Sequence, residues 1–322
     1  MHKNLIKIIT LFVIIILFII FLNLANNKSK KNNINIIVKK DRLYNDINFL
    51  TSINPPRNYK NINSLNECAY YIYNEFKKLN SFSIEFQKYK IVEDEYKNII
   101  ASYGPKSSER IIIGAHYDVC DNQPGADDNA SAVAGLLEIA RLISEQKPEL
   151  KNRIDFVAYT LEEPPFFETE FMGSAVHARS LAKSNVKVKI MICLEMIGYF
   201  SENKNSQKFP LPILKLFYPS KGNFIAVVGK SNSKKMVKTI KQYINEVSLI
   251  NAYSLTSPVI IPGINLSDHQ SYWKYNYKAL MITDTSFFRN PNYHKTTDTI
   301  STLNFNKMKE VVKGIYWAII NL

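Results

Sequence analysis

The sequence predicts an α/β fold: a single domain with a mixed, mostly parallel central β-sheet flanked by helices, preceded by an N-terminal transmembrane segment. Three observations predict it. Short apolar runs that read as strands alternate with longer stretches of helical spacing. Two of those runs, RIIIGAHYD (110–118) and RIDFVAYTLEE (153–163), enclose a helix, which makes a βαβ unit and hence parallel pairing with a helical crossover. Apolar residues also dominate from Leu5 to Ala25, about the 20 residues needed to span a bilayer.

The chain begins with Lys3 and Lys7 ahead of LFVIIILFIIFLNLA, so residues 1–25 read as a membrane anchor. A cleavable signal peptide, giving a secreted protein, is the competing reading; the apolar run is long for one and LNLANNKSK offers no clear A-x-A site. Lysines lie on both flanks of the span, so the positive-inside rule does not orient it. Export is the commoner fate of a domain behind such a segment, which puts the body outside the cytoplasm. Residues 26–40 (NNKSKKNNINIIVKK) form a polar tether, and residues 41–322 form the globular domain.

Within that domain, SLNECAYYIYNEFKKLN (64–80) places Leu65, Cys68, Ala69, Ile72, Phe76 and Leu79 at helical spacing, with Ser64 as N-cap. SFSIEFQKYKI (81–91) and KNIIASYG (97–104) read as strands. Residues 110–115 form the next strand, and a helix follows from Ser131 to Ser144. Strands are expected at 153–161, at 188–194, within GNFIAVVGK (222–230) and within KALMITDTS (278–286). Further helices fit 232–249, 304–321 and the segment after MGS that holds His177.

Composition removes some classes of function. The net charge of +13 comes from scattered lysines that form no long tract, and no nucleic-acid motif accompanies them. Three cysteines, Cys68, Cys120 and Cys193, cannot build a disulfide framework and form no CxxC pair.

The chemistry gathers at strand ends. In open α/β sheets ligands bind outside the carboxyl ends of the strands. Here those ends carry His116 and Asp118, then Glu162 and Glu163, then Glu195, with His294 after the last strand and Asp127 and Asp128 opening a helix. Singly, each has an ordinary explanation: helix cap, solvated strand end, surface histidine. Together they place several carboxylates in one cleft, where mutual repulsion raises their pKa values unless a cation is bound. Imidazole and carboxylate donors without paired thiols fit zinc best, other divalent ions being alternatives. His116, Asp128, Glu163, Glu195 and His294 match the count for two metals that share a bridging carboxylate.

These residues stand in segments that resemble a known family, the zinc aminopeptidases of the M28 type, whose relatives include the glutaminyl cyclases. The segments are GAHYDVCDNQPGADDNASAVAGLLEIAR, VAYTLEEPPFFETEFMGSAVHAR, CLEMIGYF, NLSDHQSYW and YHKTTDTIS, in the family's order. The resemblance implies that His116 and Glu195 bind one zinc, that Glu163 and His294 bind the other, and that Asp128 bridges them. It implies Asp118 as the carboxylate that fixes the His116 ring, Glu162 as general base, and a cis peptide after Asp128. The implied activity is removal of N-terminal residues from peptides with a free amino terminus.

Asp268 and His269 are expected to support the site, His177 to be structural, and Cys120 to have no role. Some members carry a tyrosine just before the SDH motif that helps stabilise the oxyanion. IPGIN precedes it here, which leaves Asn292 and Tyr293 as candidates by proximity to His294. Three other functions compete: a one-zinc glutaminyl-peptide cyclotransferase, a carboxypeptidase using Arg179 or Arg289, and a catalytically inactive membrane-anchored binding protein. Loops 165–172 and 201–221 are expected to shape specificity.

Overall fold

The apolar runs assemble into one eight-stranded sheet in the order β1-β2-β4-β3-β5-β8-β6-β7. The computed structural model describes residues 34–106, 109–258 and 261–322. The apolar segment 5–25 therefore lies outside the described residues, and among those described no helix is long and apolar enough to cross a membrane.

The strands are β1 (Ser83–Ile91), β2 (Asp94–Tyr103), β3 (Arg110–His116), β4 (Arg153–Tyr159), β5 (Val188–Glu195), β6 (Ile225–Lys230), β7 (Ala252–Ser257) and β8 (Ala279–Thr283). The pairs β3–β4, β3–β5, β5–β8 and β6–β7 are parallel, whereas β1–β2, β2–β4 and β6–β8 are antiparallel. The sheet is thus mixed. The helices are α1 (Lys40–Ser52), α2 (Ile62–Lys77), α3 (Ala132–Gln146), α4 (Gly173–Lys183), α5 (Lys234–Val247), α6 (His269–Trp273) and α7 (Phe305–Ile320).

Both faces of the central strands are buried, which is why those strands read as nearly continuous apolar runs. Ile111, Ile113, Phe156 and Ile192 point into a large core under α1, α2, α3 and α7. Their alternates Ile112, Val157, Met191 and Cys193 meet α4 and α6 on the other face. Gly114 lies under the Tyr159 ring, where an added Cβ would come within 2.1 Å of a ring carbon.

Two features position the site. From β3 the chain crosses through α3 to β4 on one side, then passes to β5 on β3's other side, which opens a crevice at the carboxyl ends. The polar stretch before the domain also packs: Ile36 is buried and α1 starts at Lys40. Arg42 of α1 pairs with Glu138 of α3, and Asp46 accepts two hydrogen bonds from Arg141, so α1 is tied to the helix behind the site.

Candidate metal centre and cleft

His116 is the last residue of β3, and its ring is almost wholly buried. Its Nδ1 lies 3.5 Å from Asp118 Oδ1 and 3.2 Å from the Asp118 carbonyl oxygen. The same carboxylate accepts hydrogen bonds from the backbone amides of Glu162, at Oδ1, and Glu163, at Oδ2, both at 3.1 Å. One buried carboxylate thereby fixes the imidazole and the turn that carries both glutamates. That turn lies beyond β4, which stops at Tyr159 instead of continuing to 161, because Leu161 takes a left-handed backbone (φ 58°).

Asp128 faces both histidines. Its Oδ1 is 3.4 Å from His116 Nε2 and its Oδ2 is 3.2 Å from His294 Nε2. Glu195 Oε2 is 3.5 Å from His116 Nε2, and Glu163 Oε2 is 3.3 Å from His294 Nε2. Two imidazole–carboxylate groups therefore share Asp128, and a carboxylate oxygen of Glu163 also lies within 4.8 Å of the His116 ring nitrogen. Donor atoms on a tetrahedral ion with bonds of about 2.1 Å stand roughly 3.4 Å apart. The donor set and its spacing thus fit two such ions. Glu163 Oε1 adds a buried oxygen with no hydrogen-bond partner. Glu162 Oε2 stands farther back, 3.9 Å from His116 Nε2.

Electrostatics point the same way. Burial raises the carboxyls of Glu162 and Glu195, and it raises Glu163 to about 7, with Asp128 contributing repulsion. Asp128 itself is lowered: its burial is outweighed by hydrogen bonding to His116 and His294. His294 is raised to about 10, because Asp128 and Glu163 outweigh its desolvation. Glu162, Glu163, Glu195 and His294 thus favour their protonated forms until a cation replaces the protons.

Asp128 is held from behind by residues to which sequence reasoning gave no role. The Asp127 and Asp128 amides donate to the Asp298 carboxylate at 3.0–3.1 Å. Asp127 accepts from Gly198 N at 2.9 Å and from Asn290 Nδ2 at 2.7 Å. Arg57 is wholly buried, and its guanidinium donates to the carbonyls of Tyr117, Pro124 and Gly125 at both ends of the intervening loop. The Asp128–Asn129 peptide is cis. Asp298 stood in the quoted YHKTTDTIS segment, but Arg57, in PPRNYK, carried no signal that separates it from a surface arginine.

The remaining expectations sort cleanly. His177 is buried and bonded to the Tyr272 hydroxyl, away from the carboxylates described above. Asp268 is wholly buried, and His269 bonds the Ile264 carbonyl. Tyr293 stacks on His294 with ring centroids 3.8 Å apart and lines the cleft. That cleft, of about 190 Å³, opens beside Asp128, Glu162, Glu163 and Glu195, and its walls include Phe209, Tyr218, Phe224, Val228, Met281 and Phe288. Phe167 from loop 165–172, and Gln207, Lys208, Phe209, Pro210, Leu214 and Tyr218 from segment 201–221, contribute to it. Arg179 pairs instead with Glu170 at 2.8 Å, and Arg289 donates to Gln207 and to the Phe224 carbonyl, so neither lines the cleft.

The family model described as peptidase family M28 matches residues 98–318. An uncharacterised protein of Escherichia coli, YfbL, is 44% identical over 289 residues, covering 87% of this chain and 88% of its own. A probable leucine aminopeptidase of Trichophyton verrucosum is 26% identical over 295 residues, covering 86% of this chain and 70% of its own. Among solved structures, a zinc aminopeptidase from Bacillus subtilis superposes with a TM-score of 0.70 at 15% identity, covering 89% of this chain and 96% of its own. A glutaminyl cyclase of Tannerella forsythia gives 0.63 at 22%, covering 89% and 100%. By the extent of the family match and the identity to the E. coli relative, the chain belongs to peptidase family M28.

Proposed function

We propose that this protein is a two-zinc aminopeptidase that removes large apolar residues from peptides with a free amino terminus. The observation that carries the reading is the pair of imidazole–carboxylate groups sharing Asp128 at the head of an acid-rimmed apolar cleft.

His116, Glu195 and one oxygen of Asp128 would hold one ion; His294, Glu163 and the other oxygen would hold its neighbour. Zinc supplies Lewis acidity there, which makes a water acidic and polarises the scissile carbonyl. Glu162 takes the proton from the attacking water and returns it to the leaving amine. Burial raises its carboxyl above the ordinary range, the direction that suits a group which takes up and returns a proton. Asp118 keeps the His116 ring and the Glu162 backbone in register. Tyr293, stacked on His294 and lining the cleft, would donate its hydroxyl to the developing oxyanion, since no tyrosine stands just before the SDH motif.

Substrate polarity follows from charge. Asp128, Glu162, Glu163 and Glu195 line the cleft against a single lysine, Lys208, and Arg179 and Arg289 do not reach it. This acidic excess favours a substrate ammonium over a carboxylate. The aromatic and aliphatic walls take the first side chain. The segment 5–25 would tether this body to a membrane, with the catalytic domain outside the cytoplasm.

The test is incubation of the full-length, zinc-supplied protein with mixed short peptides, some beginning with Gln and some N-acetylated, followed by mass. Loss of one large apolar residue from free N-termini, with acetylated peptides untouched, is expected. Loss of ammonia from the Gln peptides alone would replace the peptidase with a cyclotransferase.

A further inference from the structure

We propose that Cys120 is a fourth protein ligand of the outer metal position, the one bounded by Asp128, Glu163 and His294. The inference rests on the two-metal reading above and adds a sulfur donor to one of its two positions.

The thiol Sγ, a carboxylate oxygen of Glu163 and a ring nitrogen of His294 all lie within 4.8 Å of one another. Glu163, only 5% exposed, keeps Oε1 without any hydrogen-bond partner, so this corner holds a buried donor that awaits a cation. A tetrahedral ion with bonds of about 2.3 Å to sulfur and about 2.0 Å to nitrogen holds those two atoms roughly 3.6 Å apart.

The loop that carries the thiol is built to stay in place. Arg57 grips the carbonyls of Tyr117, Pro124 and Gly125, and Asn58 Nδ2 donates to the Asp121 carbonyl at 2.6 Å, next to Cys120. The polar contact recorded for the Cys120 thiol itself is a weak one, 4.0 Å to Asp121 Oδ2. The thiol is half-buried and faces the outer group, whereas Cys68 and Cys193 are fully buried in the two cores.

Coordination forms one sulfur–metal bond and releases the thiol proton to water; no electron changes hands. Its consequence is selectivity. A thiolate favours zinc, cobalt or cadmium over magnesium, calcium or manganese, and the inner position, with His116, Asp128 and Glu195, has no such donor.

Cobalt(II) titration of the metal-free, full-length chain tests this by absorption. The expected result is an intense thiolate-to-cobalt charge-transfer band that saturates at one equivalent per chain. It should disappear in Cys120→Ser, while the weak ligand-field bands of bound cobalt remain. Ligand-field bands without charge transfer in the wild type would overturn the role of Cys120 and leave the metal centre standing. A charge-transfer band that persists in Cys120→Ser would overturn it equally. Absence of both kinds of band would overturn the metal reading as well. The wild-type spectrum alone is decisive if the variant fails to fold.

Discussion

Replacing Asp298 by Ala should loosen Asp128, the bridge we propose between two metal positions, without touching either proposed set of ligands. Its carboxylate accepts from two buried amides, Asp127 N and Asp128 N, at 3.0–3.1 Å. Each hydrogen bond to a charged acceptor is worth about 1.5–3 kcal/mol, and both donors would be left buried without a partner. Against this, Asp298 is itself pushed up to about 7, by burial first and then by repulsion from Asp127, so its removal relieves some strain. A net loss of about 3 kcal/mol is reasonable, which lowers the melting temperature by roughly 6–12 °C in a domain of this size. Misplacing Asp128 should also weaken metal binding about 10- to 100-fold. Asp298→Asn keeps one acceptor oxygen and should lose about half as much. Scanning fluorimetry with and without zinc, together with a zinc titration, measures both effects. A melting temperature within about 2 °C of wild type, with unchanged zinc affinity, would refute the role given to these bonds.

Glu162→Gln should lower kcat by about 10²- to 10⁴-fold while metal content stays normal, checked by steady-state kinetics and elemental analysis. Tyr293→Phe keeps the ring against His294 and removes the hydroxyl; kcat should fall roughly 100-fold with KM little changed. Without metal, stability should fall as pH rises. Burial lifts Asp268 and Asp298 to about 7 and Asp284 to about 6, whereas unfolded aspartates titrate near ~4. The folded state binds more protons in that window, so this contribution is full below about pH 4 and lost as pH rises through about 7. Zinc binding needs deprotonated ligands, so the zinc-induced rise in melting temperature should grow between about pH 5 and pH 8. His177 and His269, lowered to about 4 by burial, act in the opposite sense below about pH 6.5 but cancel in the zinc difference. A zinc shift independent of pH would contradict the assignment.

The residues that meet in space were legible where chemistry sits next to a strong local pattern. The apolar runs of β3, β4, β5 and β8 are unmistakable because both their faces are buried, and each runs toward a conspicuous acid or histidine. Strand β7 was missed: AYSLTS is short, half-buried along its length and not apolar, and its identity depends on pairing with β6. Helix α1 was missed although Leu43, Ile47 and Leu50 stand at helical spacing, because the rest of KDRLYNDINFLTS is largely polar; those three residues are buried in the core, and ion pairs to Glu138 and Arg141, nearly 100 residues away, add to them. Asp298 and Arg57 illustrate the same limit at the site. Asp298 works through amides 170 residues earlier, and Arg57 through carbonyls 60 and more residues later. Local spacing carries no information about such partners. The end of β4 was misplaced because an apolar run and a strand are not the same thing: the chain turns at Leu161 so that Asp118 can hold both glutamate amides.

The most direct measurement is the metal-to-chain ratio of the full-length protein after zinc loading and removal of free ion, by elemental analysis. The shared Asp128 between two imidazole–carboxylate groups predicts two zinc ions per chain, one of them lost in His294→Ala and both weakened in Asp128→Ala. A single ion per chain, retained in full when His294 is replaced, would contradict the two-metal centre and with it the peptidase reading.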